Sequence, residues 1–333
     1  MGNIQIGSFL LKHGLFLAPL AGVSDRAFRE VCRAQGAEYT VSEMVSAKAL
    51  CYEQKSRKPL RTAPLASVFE YEMPMAIQLF GAEPEFLAEA AKMIEERSYN
   101  GCPSDTAPAA IDINMGCPVH KVVSNGEGSA LMKDPKLAAE IVKAVTRATT
   151  LPVTVKIRTG WDTESKNATE MAKRLEDAGA SLIAVHGRTR ADMYSPGVDL
   201  DSIRAVKESV RVPVVGNGDI YSAADALHMI RQTNCDGIMV ARGALGNPFL
   251  FAEICAALEG TEFMPPTLKE RFSVALSQIE RMIEEKGERI AVAEARKHLS
   301  WYIKGAHGAA SARVEINRAE TLDDMKRILE NLH

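Results

Sequence analysis

One thiol stands out for its setting. In Ala110-Ile-Asp-Ile-Asn-Met-Gly-Cys-Pro118, Ile111 and Ile113 alternate with Asp112 and Asn114, the pattern of a buried strand near its end. A Met-Gly turn follows, and Pro118 stops the strand from continuing. A cysteine just past the carboxyl end of a strand faces the active-site mouth if that strand belongs to an α/β barrel. The position suggests a chemical role, and the rest of the chain decides which one. The competing reading of a lone cysteine is a small buried core residue, which the loop position of Cys117 argues against. The tripeptide recurs at Gly101-Cys-Pro103, within an insertion (Tyr99 to Pro108) that precedes the same strand. Cys102 is therefore placed at the amino end, the stability face of a barrel, and is read as a loop residue.

Other polar groups interrupt apolar runs at matching places. Pro19 and Ala21 end the first run, and Gln78 lies in the third. Asp112 and Asn114 end the fourth, Lys156 and Arg158 lie in the fifth, and His186 ends the sixth. Asn217 and Asp219 follow the seventh, and Arg242 follows the eighth. Packing alone does not explain polar groups at so many strand ends. Gly216-Asn-Gly-Asp219, with Ser222 capping the next helix, and Ala241-Arg-Gly243 read as a phosphate site, which recurs after strands seven and eight of this fold. A phosphorylated cofactor with Gln78, Lys156 and His186 around its head suggests flavin mononucleotide (FMN), because a lysine ammonium stabilises the negative charge of a reduced flavin. A Schiff-base lysine of an aldolase-type barrel is the rival reading of Lys156, but it leaves the Asn-Met-Gly-Cys-Pro loop without a purpose.

The elements that must position these groups are short strands alternating with helical stretches. The strands are expected at 15–22, 38–43, 75–81, 110–114, 153–158, 182–186, 212–217 and 237–241, with helices at 27–34 and 84–96 among the connections. Eight strands in β-α alternation predict a (β/α)8 TIM barrel. The alternative, an open doubly wound sheet, lacks its GxGxxG fingerprint after the first strand. Glu262-Phe-Met-Pro-Pro266 reads as a linker. Beyond it the chain turns helical. Thr267-Leu-Lys-Glu270 is a capping-box start, Phe272, Leu276, Ile279 and Ile283 keep one stripe, a second helix spans about 289–304, and a third starts near Thr321 with Met325, Ile328 and Leu329. The expected organisation is a catalytic barrel over 1–260 and a small C-terminal helical domain over 261–333.

Composition is that of an ordinary globular protein, with 46% hydrophobic and 25% charged residues. A net charge of −3 leaves any nucleic-acid contact to a local patch. The apolar run Ser8 to Leu20 is broken by Lys12 and His13 and is shorter than the roughly 20 residues a membrane span needs. No signal peptide is read at the amino end. The 6 cysteines form no CxxC pair, which fits a reduced cytoplasm better than a disulfide framework or a metal site.

With these residues in view, the sequence resembles the tRNA-dihydrouridine synthase family, in its bacterial B-type (NifR3-like) branch. The resemblance rests on Ala18-Pro-Leu-Ala-Gly-Val-Ser-Asp25, Ile77-Gln-Leu-Phe-Gly81, Asp112-Ile-Asn-Met-Gly-Cys-Pro118, Val155-Lys-Ile-Arg158, Val185-His-Gly-Arg-Thr-Arg190, Gly216-Asn-Gly-Asp-Ile220 and Ala295-Arg-Lys-His-Leu299. It runs over nearly the whole chain, in order. It implies reduction of the C5–C6 double bond of particular tRNA uridines, with bound FMN and with NADPH (or NADH) as reductant. It also implies FMN against Pro19, Leu20 and Ala21, its ring near Gln78, Lys156 and His186, and its phosphate at Asn217, Gly218, Asp219, Ala241 and Arg242. Cys117 takes the place of the catalytic acid: hydride passes from flavin N5 to uracil C6, and the thiol proton reaches C5 from the opposite face. On this reading Asn114 helps orient the base, and Arg158 or Arg190 meets RNA or the flavin phosphate. The segment 192–200 departs from the family pattern in lacking a tryptophan near its end, and the 99–108 insertion is atypical.

From Arg289 to Arg318 six Lys/Arg face two Asp/Glu, a local reversal of the overall charge balance. Arg296, Lys297, His298, Lys304, Arg313 and Arg318 are candidates to track tRNA phosphates, with Trp301 or Tyr302 to stack or pack. Arg296 and Lys297 are the leading pair. A target uridine buried in folded tRNA must leave its stack to react. The competing enzyme is a dihydroorotate dehydrogenase-like flavoprotein acting on a free pyrimidine, which needs no basic helical tail. The competing non-enzyme is an RNA-binding barrel without chemistry, which has no use for Cys117, Lys156 and His186 together. No membrane, metal or obligate protein partner is expected, and the location expected is cytoplasmic.

Overall fold

The computed structural model describes residues 3–53 and 62–332. Its centre is a closed, all-parallel barrel of eight strands in chain order: β3 (Leu15–Leu17), β4 (Tyr39–Ser46), β5 (Met75–Phe80), β6 (Ala110–Met115), β7 (Val153–Arg158), β8 (Leu182–His186), β9 (Val214–Asn217) and β10 (Gly237–Val240), with β10 pairing back to β3. The open-sheet alternative is thereby excluded. Helices α1 (Arg26–Ala34), α2 (Ala47–Glu53), α3 (Pro84–Glu96), α4 (His120–Val123), α5 (Pro135–Ala148), α6 (Ala168–Asp177), α7 (Leu200–Ser209), α8 (Ala223–Thr233) and α9 (Leu250–Glu259) follow the strands in turn. The barrel strands are largely buried, and apolar residues such as Ile77, Ile111, Ile113, Val155 and Val185 pack outward under the helices while polar ones such as Gln78, Asp112 and Lys156 interrupt them.

Two short strands precede the barrel and were not read from the sequence. They are β1 (Ile4–Ile6) and β2 (Phe9–Leu11), an antiparallel pair. Ile4, Ile6 and Leu11 join Phe16, Tyr39, Ala110, Leu182 and Met239 in one buried cluster. Tyr39, Ala110 and Leu182 open their strands, so the hairpin closes the amino end of the barrel.

Several boundaries move for physical reasons. The first barrel strand stops at Leu17 rather than reaching Gly22, because Pro19 has no N–H for a ladder and Leu20 begins a turn whose carbonyl accepts from Val23 and Ser24. Pro19 to Val23 thus become a loop at the mouth. The second strand runs on to Ser46, with an irregularity between Val41 and Met44. Glu38 lies before that strand, where its carboxylate accepts from the backbone N–H groups of Lys12, His13 and Leu15. Val212 and Pro213 precede β9 rather than belonging to it.

After an irregular stretch at 261–266, four helices follow: α10 (Leu268–Lys286), α11 (Glu288–Tyr302), α12 (Ala309–Ile316) and α13 (Leu322–Glu330). The capping box forms: the Thr267 hydroxyl accepts from the Glu270 N–H, and the Glu270 carboxylate accepts from the Thr267 N–H at 2.7 Å. These helices share their own core, which includes Phe272, Ile279, Leu299, Ile316 and Met325 and also takes in Ala27 of α1. They dock on the loop and helix after β3. Lys286 pairs with Asp25 at 2.7 Å, and the Lys297 ammonium donates to the Gly22 carbonyl.

Candidate active site

A cavity of about 300 Å³ opens at the carboxyl ends of the strands. Pro19, Leu20, Ala21, Gln78, Asn114, Cys117, Lys156, Arg158, His186, Asn217 and Ala241 all line it. These were separate readings along the sequence, and the closed barrel brings them to one place. A smaller recess of about 50 Å³ adjoins it, lined by Gly218, Asp219 and Arg242 together with His186, Asn217 and Ala241.

A chain of hydrogen bonds across three strands holds the thiol loop. Thr154 donates to Asp112 at 2.6 Å, and Gln78 Nε2 donates to the other carboxylate oxygen at 2.6 Å. Gln78 Oε1 accepts from Asn114 Nδ2 at 2.7 Å. Asn114 Oδ1 then accepts from the N–H groups of Gly116, at 3.1 Å, and Cys117, at 2.9 Å. Asn114 therefore shapes the cysteine loop, and its amide also donates to Met44 Sδ at 3.7 Å. From the far side, the Cys117 carbonyl accepts from the Ser129 N–H and hydroxyl at 3.0 and 2.8 Å. Burial pushes the Cys117 thiol above its ordinary pKa, and the Val119 backbone N–H and the charges of Arg158 and Lys156 oppose that only in part. The thiol keeps its proton at neutral pH.

Lys156 is packed along its stem, and its ammonium donates to Asn217 Oδ1 at 3.1 Å. Asn217 is fixed in turn by donating to the Met239 carbonyl at 2.7 Å. Burial, together with the nearby Arg158 charge, lowers the Lys156 pKa to about 8. An anionic ligand beside the ammonium would favour its charged form. His186 is held neutral by burial and by the cations around it, Lys156 foremost. Its Nε2 lies 3.3 Å from Arg188 Nη1. Because a guanidinium only donates, Nε2 accepts and Nδ1 carries the proton.

In the recess, the Asp219 carboxylate is held between Arg188, at 2.5 Å, and Arg242, at 3.3 Å. Two guanidiniums against one carboxylate leave the corner positive, so an anion there would meet backbone N–H and arginine rather than the Asp219 side chain. Gly218 has φ +132°, and a Cβ on it would approach Val198 to 2.9 Å. The turn is therefore built to bring the backbone close.

Not every sequence-predicted residue joins the cavity or stands free. Arg158 borders it, and its Nε donates to the Gly116 carbonyl (2.7 Å) and its Nη1 to those of Thr189 (2.8 Å) and Met193 (3.0 Å), so it braces the thiol loop. Arg190 lies outside, stacked 4.5 Å over Trp161. Arg296 donates to the Ala319 carbonyl among the C-terminal helices, and exposed Lys297 ties to Gly22. His298 and Tyr302 are buried around Gln278 rather than facing outward. Conversely, Arg188, Thr154 and Tyr194 were not singled out. Arg188 was visible in the His-Gly-Arg run. Tyr194 reaches the cavity from the 192–200 loop, where Arg242 lies 5.1 Å over its ring, and nothing local announces that contact.

The donor set and shape carry a specific chemical signature, and comparison with known proteins decides the family. Residues 16–333 match the family described as Dihydrouridine synthase (Dus). The chain belongs to the dihydrouridine synthase family. It is 42% identical over 315 residues to a probable tRNA-dihydrouridine synthase of Rickettsia conorii, covering 94% of this chain and 91% of that one. It is 40% identical over 325 residues to tRNA-dihydrouridine synthase B of Pseudomonas aeruginosa, covering 97% and 93%. The B-type protein of Vibrio cholerae is also 40% identical, over 330 residues and 98% of each chain. Among solved structures, histamine dehydrogenase from Rhizobium sp. 4-9 shares the barrel at a TM-score of 0.55 and 16% identity, over 89% of this chain and 50% of that one, a likeness of fold alone. Family membership turns the reading away from a free-pyrimidine dehydrogenase and from an inert barrel. Among the described residues, no helix is long and apolar enough to cross a membrane.

Proposed function

We propose that this protein is a flavin-dependent tRNA-dihydrouridine synthase that reduces the C5–C6 bond of uridines in tRNA, with NADPH or NADH as reductant. The observation that carries the reading is the Cys117 thiol, held protonated on a braced loop and lining the same cavity as Lys156, His186 and Gln78. The residues present fit FMN. Lys156, Gln78 and His186 would surround the ring against the Pro19 to Ala21 loop, and the backbone of Asn217 to Asp219, with Ala241, Arg188 and Arg242, would hold the phosphate. When bound, FMN supplies the two-electron chemistry that carries a hydride to uracil.

The chain's own groups do the rest. The Lys156 ammonium favours negative charge in the cavity. Cys117 Sγ holds the proton destined for uracil C5, and the Thr154–Asp112–Gln78–Asn114 chain fixes where that sulfur stands. Exposed Lys297, Arg313 and Arg318 support tRNA docking beside the mouth, from which a uridine leaves its stack to enter the cavity. The test is incubation of FMN-loaded protein with NADPH and unmodified tRNA, followed by nucleoside mass spectrometry. Dihydrouridine is expected. Its absence, with FMN bound and the tRNA intact, would contradict the proposal.

A further inference from the structure

A second, larger cavity lies where the barrel meets the helical domain. It measures about 780 Å³ and is walled by Tyr221, Phe263 and Trp301 and by the cations Arg242, Arg271 and Lys304. Its one carboxylate, Glu253, is already engaged, accepting from the Ala223 N–H at 2.9 Å. The floor is fixed by close backbone contact: a Cβ on Gly246, at φ +67°, would come within 2.4 Å of the Trp301 carbonyl carbon. Arg271 is anchored on the carbonyls of Tyr302 and Lys304. Tyr221 is 50% exposed, and Arg242 lies 6.0 Å over its ring.

This groove is continuous with the reaction cavity. It shares Tyr221, Arg242 and Gly243 with the phosphate recess, which shares His186, Asn217 and Ala241 with the mouth. Two other cavities share no wall with the mouth: one of about 380 Å³ sets Asp25, Glu43 and Glu285 against Arg26, Arg29 and Lys286, and one of about 560 Å³ has no aromatic wall. Aromatic faces plus fixed cations suit a ligand that is a flat base carrying phosphates. Such a ligand must also reach the mouth at its other end.

We propose that this groove binds the adenosine-phosphate half of the nicotinamide dinucleotide reductant, with Trp301 and Tyr221 against the base and Lys304 and Arg271 toward phosphate. This rests on the function proposed above. The groove then acts in the reduction of the flavin, and the exposed basic residues outside it are left to RNA.

The test uses FMN-loaded Trp301→Ala and Lys304→Glu proteins, with FMN content and melting temperature as checks on folding. Flavin reduction by NADPH is followed anaerobically by stopped flow, and tRNA affinity is measured separately. The NADPH concentration for half-maximal rate is expected to rise about tenfold in each variant, while the limiting rate and tRNA affinity stay within about twofold. Weakened tRNA binding with unchanged NADPH dependence would make the groove an RNA contact and overturn the assignment. No change in either would overturn it as well. If NADPH and NADH both failed to reduce the wild-type flavin, the function reading would fall with it, an outcome distinct from failure of the groove alone.

Discussion

The chain carries Gly-Cys-Pro twice, and the two copies have opposite surroundings. At 116–118 the cysteine N–H and carbonyl are both held by side chains, and the thiol lines the cavity that holds Lys156 and His186. At 101–103 the cysteine sits in a turn, its N–H donating to Tyr99 at 3.1 Å, and it packs against the barrel's outer core. Around it the loop works as a staple. The Tyr99 hydroxyl donates to Ala66 at 2.8 Å, Ser104 accepts from the Val68 N–H at 2.9 Å, and Asp105 accepts from the Glu70 N–H at 2.9 Å. One copy follows β6 and the other precedes it. The tripeptide itself carries no chemistry, and the end of the strand on which it falls decides whether it can.

The sharpest way to break this comparison is to remove each sulfur in turn. Cys117→Ala is expected to lower dihydrouridine formation by about 10²- to 10⁴-fold, the usual worth of a positioned acid, with FMN content unchanged. The next effect is one of pH. The Lys156 ammonium favours an anionic ligand while it is charged, and its pKa without ligand is about 8. FMN affinity of the apoprotein should hold below that pH and fall about tenfold per pH unit above it. In Lys156→Met, titration of FMN binding should show a weak, flat profile over the same range. An unchanged profile would detach the mouth from its proposed electrostatics. The smallest effect belongs to the other end: Cys102→Ala should alter stability by less than about 1 kcal/mol and leave turnover intact. A dead Cys102 variant with bound FMN would reverse the roles of the two tripeptides.

Much of this was legible in the sequence because barrel strands are short apolar runs, and a polar residue inside such a run marks its end. Gln78, Asn114, Lys156, His186 and Asn217 were found that way, and closure of the barrel then dictates that they meet. The N-terminal hairpin escaped notice because each of its strands is three residues long, too short to display alternation. Arg158 reads as a free cation in sequence, yet its three carbonyl partners come from the Gly116 turn and from the 189–193 loop. His298 reads as basic, but the stripe Ala291, Ala295, His298, Leu299 and Tyr302 puts it on the inward face of α11. That signal was available from helical spacing and was obscured by the charges on either side. Tyr194 is recruited by tertiary contact alone, and no local pattern reveals such a residue.

The central claim is that the Cys117 proton, and not hydride supply, is what the mouth loop adds. Single-turnover kinetics of Cys117→Ala separate the two. The variant's flavin should be reduced by NADPH at the wild-type rate, and its reoxidation by tRNA should then be slower by about a hundredfold or more. Reoxidation by tRNA at the wild-type rate would contradict the account.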